Sequence, residues 1–402
     1  MSNLKRGGKH PPLIRKRETM KIASIAVHPL SATTAVPLST AHETFSTSHV
    51  ILVEVKTDDG LTGYGQVHGE PMKTICEWIL RFGEIVKGMD ALGHAEVWEK
   101  LFLLTCPRPG GIQGSGGLPP PLPRSARPHI MAAIAGIDIA LWDIKGKAAG
   151  MPVYKLLGGA RQSFFTYATG SYYRDDATIE TYASEMASFV ASGYRAVKAK
   201  CCWAEMSEEV ARIRAIREAI GKDTLLMLDM NAPYGVEECI RFAHAVEPYD
   251  IYWLEEPLHW YLQPADYVKL AAASPIPLAH GERELTRFTM RDFIASGALR
   301  FAQFDATRYA GFTEGLRVAQ LAEQYGVRIA PHLAPEVHAH LCLAFPSASF
   351  AVETIGNKVR DVLGLGIYKN GPQVRNGEVH IHDAPGFGIE IDWDFVNQYR
   401  AQ

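Results

Sequence analysis

Three carboxylates, Asp229, Glu255 and Glu282, close three successive short apolar runs of the chain. An all-oxygen set of this kind suits a hard divalent cation such as Mg²⁺ (or Mn²⁺) better than zinc. Three protein ligands on a six-coordinate ion leave positions for substrate oxygens. Two side chains that can carry a proton flank the acids in sequence. Lys200 closes the run before them, in Lys198-Ala199-Lys200, and His332 closes a later one. Residues i and i+2 of a strand share a face, so Lys198 and Lys200 point the same way, as do Asp229 and Asn231. Lys198 is expected to depress the pKa of Lys200, and Asp305, closing the run before His332, is placed to orient that imidazole. A base on either side of a metal fits removal of a proton α to a carboxylate, with the metal holding the enediolate.

Each feature has a bland reading when taken alone. A Lys-x-Lys pair at a strand end is ordinarily a solvated rim, and Asp-x-Asn is ordinarily a turn or a helix cap. Glu255-Glu256-Pro257 reads as a polar loop start, and a lone His332 as a satisfied polar residue. What separates the chain from those readings is regularity: seven consecutive apolar runs end in ionisable groups.

The elements that must hold these groups follow a βα rhythm. The apolar runs are Phe164–Thr169, Ala196–Cys201, Leu225–Asn231, Tyr252–Pro257, Pro277–Arg283, Phe301–Ala306, Arg328–Leu333 and Phe350–Glu353. Helical periods fall between them, for example Glu208–Ala219 and Glu314–Tyr325. Eight buried parallel strands alternating with helices predict a TIM-type (β/α)₇β barrel over residues 160–370, whose strand ends converge on one mouth. A doubly wound open sheet would need a Gly-rich first turn, and Tyr167–Tyr172 offers only Gly170.

Before the barrel, residues 20–150 read as an α+β domain. Lys21–Leu30 and Val50–Val67 alternate as strands, with a Ser/Thr-rich loop expected at Ser31–Ser48 and a hairpin at Asp58-Asp59-Gly60. Helices are expected at Lys73–Val86, His94–Leu104 and His129–Ala149, the last stopped by Gly150. Pro107–Pro128 is a Gly/Pro-rich insertion, read as non-helical. Its GGIQGSGG stretch follows no strand and lacks a Gly-Lys-Ser/Thr ending, so it is not a phosphate loop. Residues 371–402 alternate again and are expected to return to the first domain. Residues 1–19 carry six basic side chains against one acid, Glu18, and have no apolar core segment, so a disordered basic extension is expected.

Composition narrows the function class. The 402 residues are 47% hydrophobic and 21% charged, with a net charge of −3. That balance favours neither nucleic acid nor an anionic membrane as partner. No apolar run is long enough to span a bilayer. Six cysteines without a CxxC suit reduced thiols, hence a cytoplasmic protein.

The motifs Lys198-Ala-Lys200, Leu228-Asp-Met-Asn231, Trp253-Leu-Glu-Glu-Pro257, Gly281-Glu282, Gln303-Phe-Asp305 and Pro331-His332 resemble the enolase superfamily, mandelate racemase subgroup. So does Ala135-Gly-Ile-Asp-Ile-Ala-Leu-Trp-Asp-Ile-Lys-Gly-Lys147 with Leu157-Gly-Gly159. The resemblance implies Mg²⁺ on Asp229, Glu255 and Glu282, Lys200 as base on one face, and the Asp305–His332 dyad on the other. It matches Glu353 to an acid that hydrogen-bonds the substrate carboxylate. It makes the first domain a cap whose loops near Thr40–His49 and Gln66–Pro71 read the distal substrate, with Phe45, His49 and His68 as candidates. The stretch His332–Leu341 is similar to sugar-diacid dehydratases, and Tyr167–Ser171 with Gly326–His332 to lactone cycloisomerases. The expected activity is dehydration of a small-molecule sugar acid by a homo-oligomer. Racemisation and lactone cycloisomerisation are the alternatives with the same machinery, and a silent binding barrel is the alternative from another class.

Overall fold

The computed structural model describes residues 19–106, 122–356 and 360–401. The expected basic extension lies outside the described residues except for Thr19, as does most of the Gly/Pro-rich insertion. The insertion's last residues differ from the non-helical expectation. Arg124–Ala126 form a 3₁₀ turn and a helix begins at Arg127. Pro128 occupies its first turn, where a missing N–H breaks no bond.

The first domain is an antiparallel sheet of β1 (Ile22–Ser39), β2 (Thr44–Thr57) and β3 (Thr62–Val67) in the order β1-β2-β3. The loop expected at Ser31–Ser48 is mostly strand. The β1–β2 ladder continues through Thr33–Thr47, breaks at an irregularity, and resumes at Leu38–Phe45. Its Ser and Thr side chains do not prevent pairing, because β-branched threonine suits a pleated surface. Helices Met72–Val86, His94–Leu103 and Arg127–Ala149 cover one face.

The barrel strands are β4 (Ser163–Gly170), β5 (Ala196–Lys200), β6 (Leu225–Asp229), β7 (Ile251–Glu255), β8 (Leu278–His280), β9 (Leu299–Ala302), β10 (Arg328–Ile329) and β11 (Val352–Ile355). Each is parallel to the next from β4 to β10, and β11 pairs with β4. A parallel bridge from Ile329 to Ser349 joins β10 to the segment leading into β11. One interior layer takes a residue from each strand or its flank: Tyr167, Ala196, Met227, Trp253, Ala279, Phe301, Ala330 and Phe350. Large and small side chains share that layer, so the barrel centre is filled rather than open. From β5 to β10 the observed strands end before the apolar runs do, whereas β4 and β11 run slightly past theirs. Residues such as Asn231, Glu256 and Ala306 have left the ladder yet stay buried.

The tail divides between the two domains, which corrects the expected return of all of 371–402 to the first. Strands β12 (Gln373–Arg375) and β13 (Glu378–His380) form a hairpin on β4, because β4 extends at its start beyond its parallel neighbours. The helix Trp393–Gln398 then reaches β1, where Ser31 N–H donates to the Tyr399 carbonyl at 2.9 Å. Leu363, Ile367 and Tyr368 already pack with Leu30 and Leu52 of the first domain. Among the described residues no helix is long and apolar enough to cross a membrane.

The helix Arg127–Ala149 joins everything and is buried on nearly all sides. Its Asp143 accepts from the N–H groups of Tyr64 and Phe387, both at 2.9 Å, and its Asp138 accepts from Thr313. The strand β3 crosses it at glycines: a Cβ on Gly65 would lie 2.2 Å from the Gly136 carbonyl oxygen. Gly65→Ala therefore opens this seam and is expected to cost about 2–3 kcal/mol by overpacking, read from urea unfolding. An unchanged midpoint would contradict it. A second expectation concerns acid. His340 is fully buried, taking the Tyr154 N–H on Nδ1 and facing the Phe387 carbonyl with Nε2. Burial pushes its pKa down from 6.5 to about 3. Between those values the unfolded chain binds a proton that the folded chain refuses, so stability falls as pH drops through that window. Melting temperature against pH should be flatter there for His340→Gln than for the parent; parallel curves would refute the assignment.

Candidate active site

The register of the barrel sets the ionisable groups side by side. Lys200 pairs with Asp229 across β5 and β6, and Asp229 pairs with Glu255 across β6 and β7. Glu282 follows two residues after β8 ends. Ligand atoms of Asp229, Glu255 and Glu282 lie within 4.8 Å of one another, and all three residues are buried. One Glu282 oxygen, Oε2, accepts no well-aligned hydrogen bond, although the His332 ring nitrogen Nε2 faces it at 3.3 Å. Three converging carboxylates with an unsatisfied oxygen make a donor set that fits a hard divalent cation. His280, close to Glu282 in sequence, takes no part: its ring nitrogens meet Tyr267 and Glu284.

Both lysines reach this cluster. Lys198 is wholly buried, 2.7 Å from Glu255 Oε1, 2.9 Å from Glu353 Oε1 and 3.4 Å from Asp229 Oδ2. Burial alone would lower its pKa, but these carboxylates hold it well above the usual lysine value. Lys200 lies 2.5 Å from Asp229 Oδ2. The depression expected from Lys198 is reversed. Burial and Lys198 both act to lower the Lys200 pKa, yet Asp229 in direct contact outweighs them and the ammonium is held above its ordinary value. Lys198 already spends its charge on Glu255 and Glu353.

On the opposite side, His332 Nδ1 stands 2.9 Å from Asp305 Oδ2, and its Nε2 stands 3.3 Å from Glu282 Oε2. Burial alone would raise the Asp305 carboxyl, but the hydrogen bond and charge of His332 hold it far below the usual range. Thr307 donates to the other Asp305 oxygen through N–H and hydroxyl, fixing the carboxylate in place. Glu353 accepts from Thr169 Oγ1, from the Leu333 N–H at 3.1 Å and from Lys198. Asn231 is buried with a free side-chain oxygen, and its N–H caps Asp229 Oδ1.

The cap candidates part company. His68 comes close enough to interact with Asp305, Arg308, His332 and Arg360, and burial lowers its pKa to about 4. Phe45 stacks edge-on to Tyr172, whose ring sits 5.5 Å from Lys200 Nζ. His49 instead pairs with Glu70 inside the cap at 2.9 Å.

Several neighbours were not singled out by sequence. Gln303, present in the Gln303-Phe-Asp305 motif but given no role there, donates to Glu255 Oε2 at 2.7 Å from just beyond the end of β9. Arg308 lies 3.8 Å from Glu282 and 3.6 Å from Asp305. Nothing local in the sequence distinguishes it from a surface arginine. Cys201 and Cys202 are buried in the barrel core beside the lysines.

Comparison with known proteins agrees with this geometry. Residues 22–158 match the mandelate racemase/muconate lactonizing enzyme N-terminal domain, and residues 181–395 match the enolase C-terminal domain-like model. The chain belongs to the mandelate racemase/muconate lactonizing enzyme family. It is 33% identical to D-galactarolactone cycloisomerase of Agrobacterium fabrum over 95% of this chain and 99% of that protein. It is 26% identical to arabinonate dehydratase of Saccharolobus solfataricus over 96% and 95%. The solved L-talarate/galactarate dehydratase of Salmonella typhimurium LT2, liganded with Mg and L-lyxarohydroxamate, superposes with a TM-score of 0.83 at 25% identity, over 100% and 98%. Family membership fixes the architecture of cap and barrel, and the buried triad is suited to a metal ion.

The buried ion pairs generate a stability prediction. Lys198→Met leaves Glu255 and Glu353 without their shared counter-charge. In chelator-treated protein it should destabilise by about 3–5 kcal/mol in urea unfolding. A parental midpoint would show that Lys198 does not balance this cluster.

Proposed function

We propose that the chain is a Mg²⁺-dependent sugar acid dehydratase. The observation that carries this reading is the pair of proton carriers, Lys200 and the Asp305–His332 dyad, on opposite sides of one carboxylate triad. Named relatives include dehydratases of arabinonate and D-galactonate. A Mg²⁺ ion on Asp229, Glu255 and Glu282 would supply positive charge to the enediolate and relieve Lys200 of balancing Asp229. Lys200, once it has given its extra proton to solvent, takes the α-proton on the neutral Nζ. Asp305 holds His332 through Nδ1, so that Nε2 of the protonated ring faces the triad and gives its proton to the departing β-hydroxyl. The enol that remains becomes a 2-keto-3-deoxy acid. For a substrate of opposite configuration at C2 the two groups exchange roles. Lys198 and Glu353 keep the charges of the mouth in register, and Asn231, Phe45 and His68 face the bound acid. His49 is read as a cap residue acting through Glu70.

A second reading rests on a specific observation: a relative at 33% identity over nearly its whole length is a lactone cycloisomerase. The same Lys200 and His332 would move protons on a lactone without loss of water.

The test is proton NMR in D₂O with Mg²⁺ on a panel of aldonates, aldarates and their lactones. A 2-keto-3-deoxy product from an open-chain acid establishes dehydration, whereas ring-opened keto-deoxy product from lactones alone establishes cycloisomerisation. Lys200→Ala and His332→Asn should each lower turnover by at least about 10²-fold. Full turnover in either variant removes that residue from the mechanism.

A further inference from the structure

Arg212 is 3% exposed and carries a charge far from solvent, on the helix Met206–Ile220 behind the mouth. Its guanidinium does not reach the triad or the dyad. It grips the ends of two adjacent barrel strands. Nη2 donates to the Lys200 carbonyl at 2.6 Å, and Nη1 donates to Ser171 Oγ at 2.7 Å. Glu209, one turn back, neutralises it at 2.9 Å. The Tyr173 and Tyr182 rings lie 4.3 and 4.9 Å from the guanidinium carbon. Burying a charge this deeply is costly unless it is paired and hydrogen-bonded; here Nε has no partner, and the two terminal nitrogens take Glu209, Tyr173 and the points where β4 and β5 leave the sheet, at Ser171 and the Lys200 carbonyl. Both strands exit through left-handed conformations at non-glycine residues, Ser171 at φ 60° and Cys202 at φ 75°. Such turns need an external hold.

The same network extends to the cap. Tyr173 OH accepts from Arg212 Nη2 at 2.5 Å and donates to Glu209. Its backbone pairs with Ser39 at the end of β1, at 2.9 and 3.0 Å in the two directions. A continuous path of hydrogen bonds therefore runs from the cap hairpin through Tyr173 and Arg212 to the Lys200 carbonyl. Among the described residues, no side-chain hydrogen bond joins Arg212 directly to His332 or Asp305.

We propose that Arg212 is a positioning residue for Lys200, and that it registers the Lys200 side of the mouth to the seating of the cap on Tyr173. This rests on the reading of Lys200 and His332 as proton carriers on opposite faces. It adds an asymmetry which that reading does not contain: loss of Arg212 should disable one face and spare the other.

The experiment measures deuterium uptake at C2 from D₂O, with Mg²⁺, using D-galactonate and D-talonate, which differ only in configuration at C2. Lys200→Ala and His332→Asn are run in parallel to assign each acid to its face. Arg212→Met should slow exchange of the Lys200-dependent acid by about 10–10²-fold through kcat rather than KM, as expected for a base displaced by up to an ångström. Exchange of the His332-dependent acid should stay at the parental rate. Arg212→Lys, which can reach the Lys200 carbonyl or Ser171 Oγ but not both, should recover part of the loss. Tyr173→Phe keeps the charge pair with Glu209 and should give a smaller loss on the same face. Melting temperatures confirm that the variants fold. Equal losses on both faces, or no loss on either, would overturn the positioning role. If instead neither Lys200→Ala nor His332→Asn changes exchange of either acid, the functional reading itself fails.

Discussion

Lys198 lies wholly out of water with Glu255, Glu353 and Asp229 around its ammonium, and the mouth of the barrel is built outward from that contact. Converging carboxylates repel one another strongly in a poorly polarisable interior. The two lysines bring cationic charge from one side, and His332 with Arg308 stands on the other. A cluster of this kind is expensive as a source of stability, since apolar residues would fill the same space at lower cost. Its retention makes sense as preorganised charge, held ready for a cation and for an anion that forms during reaction.

The scaffold provides that preorganisation by register. Parallel pairing puts Lys200 beside Asp229 and Asp229 beside Glu255, so that spacing along the chain becomes proximity across the sheet. Below the mouth, Trp253, Phe301, Phe350 and Tyr167 fill the barrel and prevent the charged ends from sinking inward. Above it, the cap is tied down by the helix Arg127–Ala149 and by the tail strapped across β1. Phe45 reaches the mouth from the start of β2, and His68 from the residue just after β3.

The architecture was legible because a barrel writes itself as a repeated rhythm of apolar runs and helices, and because each run ended in a group that could do chemistry. The triad, both lysines and the dyad were all readable from strand-end position. Four things were not. The Ser/Thr-rich stretch Ser31–Ser48 reads as a loop because local polarity says nothing of a partner strand. The tail's hairpin on β4 is a pairing over more than two hundred residues of sequence, invisible to any local pattern. The direction of the Lys200 shift depended on whether Asp229 or Lys198 was nearer, a matter of ångströms that spacing alone does not supply. Arg212 is the extreme case: its importance lies in the backbone carbonyls it holds, and no side-chain motif records those.

The carboxylate triad is suited to a cation and is balanced by its surrounding charges. The most direct measurement is calorimetric titration of Mg²⁺ into chelator-treated protein, for the parent chain and for Glu282→Gln. Glu282 is the choice because its carboxylate meets His332 and Arg308 at 3.3 and 3.8 Å, longer than the lysine contacts of Asp229 and Glu255. One saturable site in the parent, lost in the variant, is the result predicted. Equal binding by both proteins, or no binding by the parent, would contradict it.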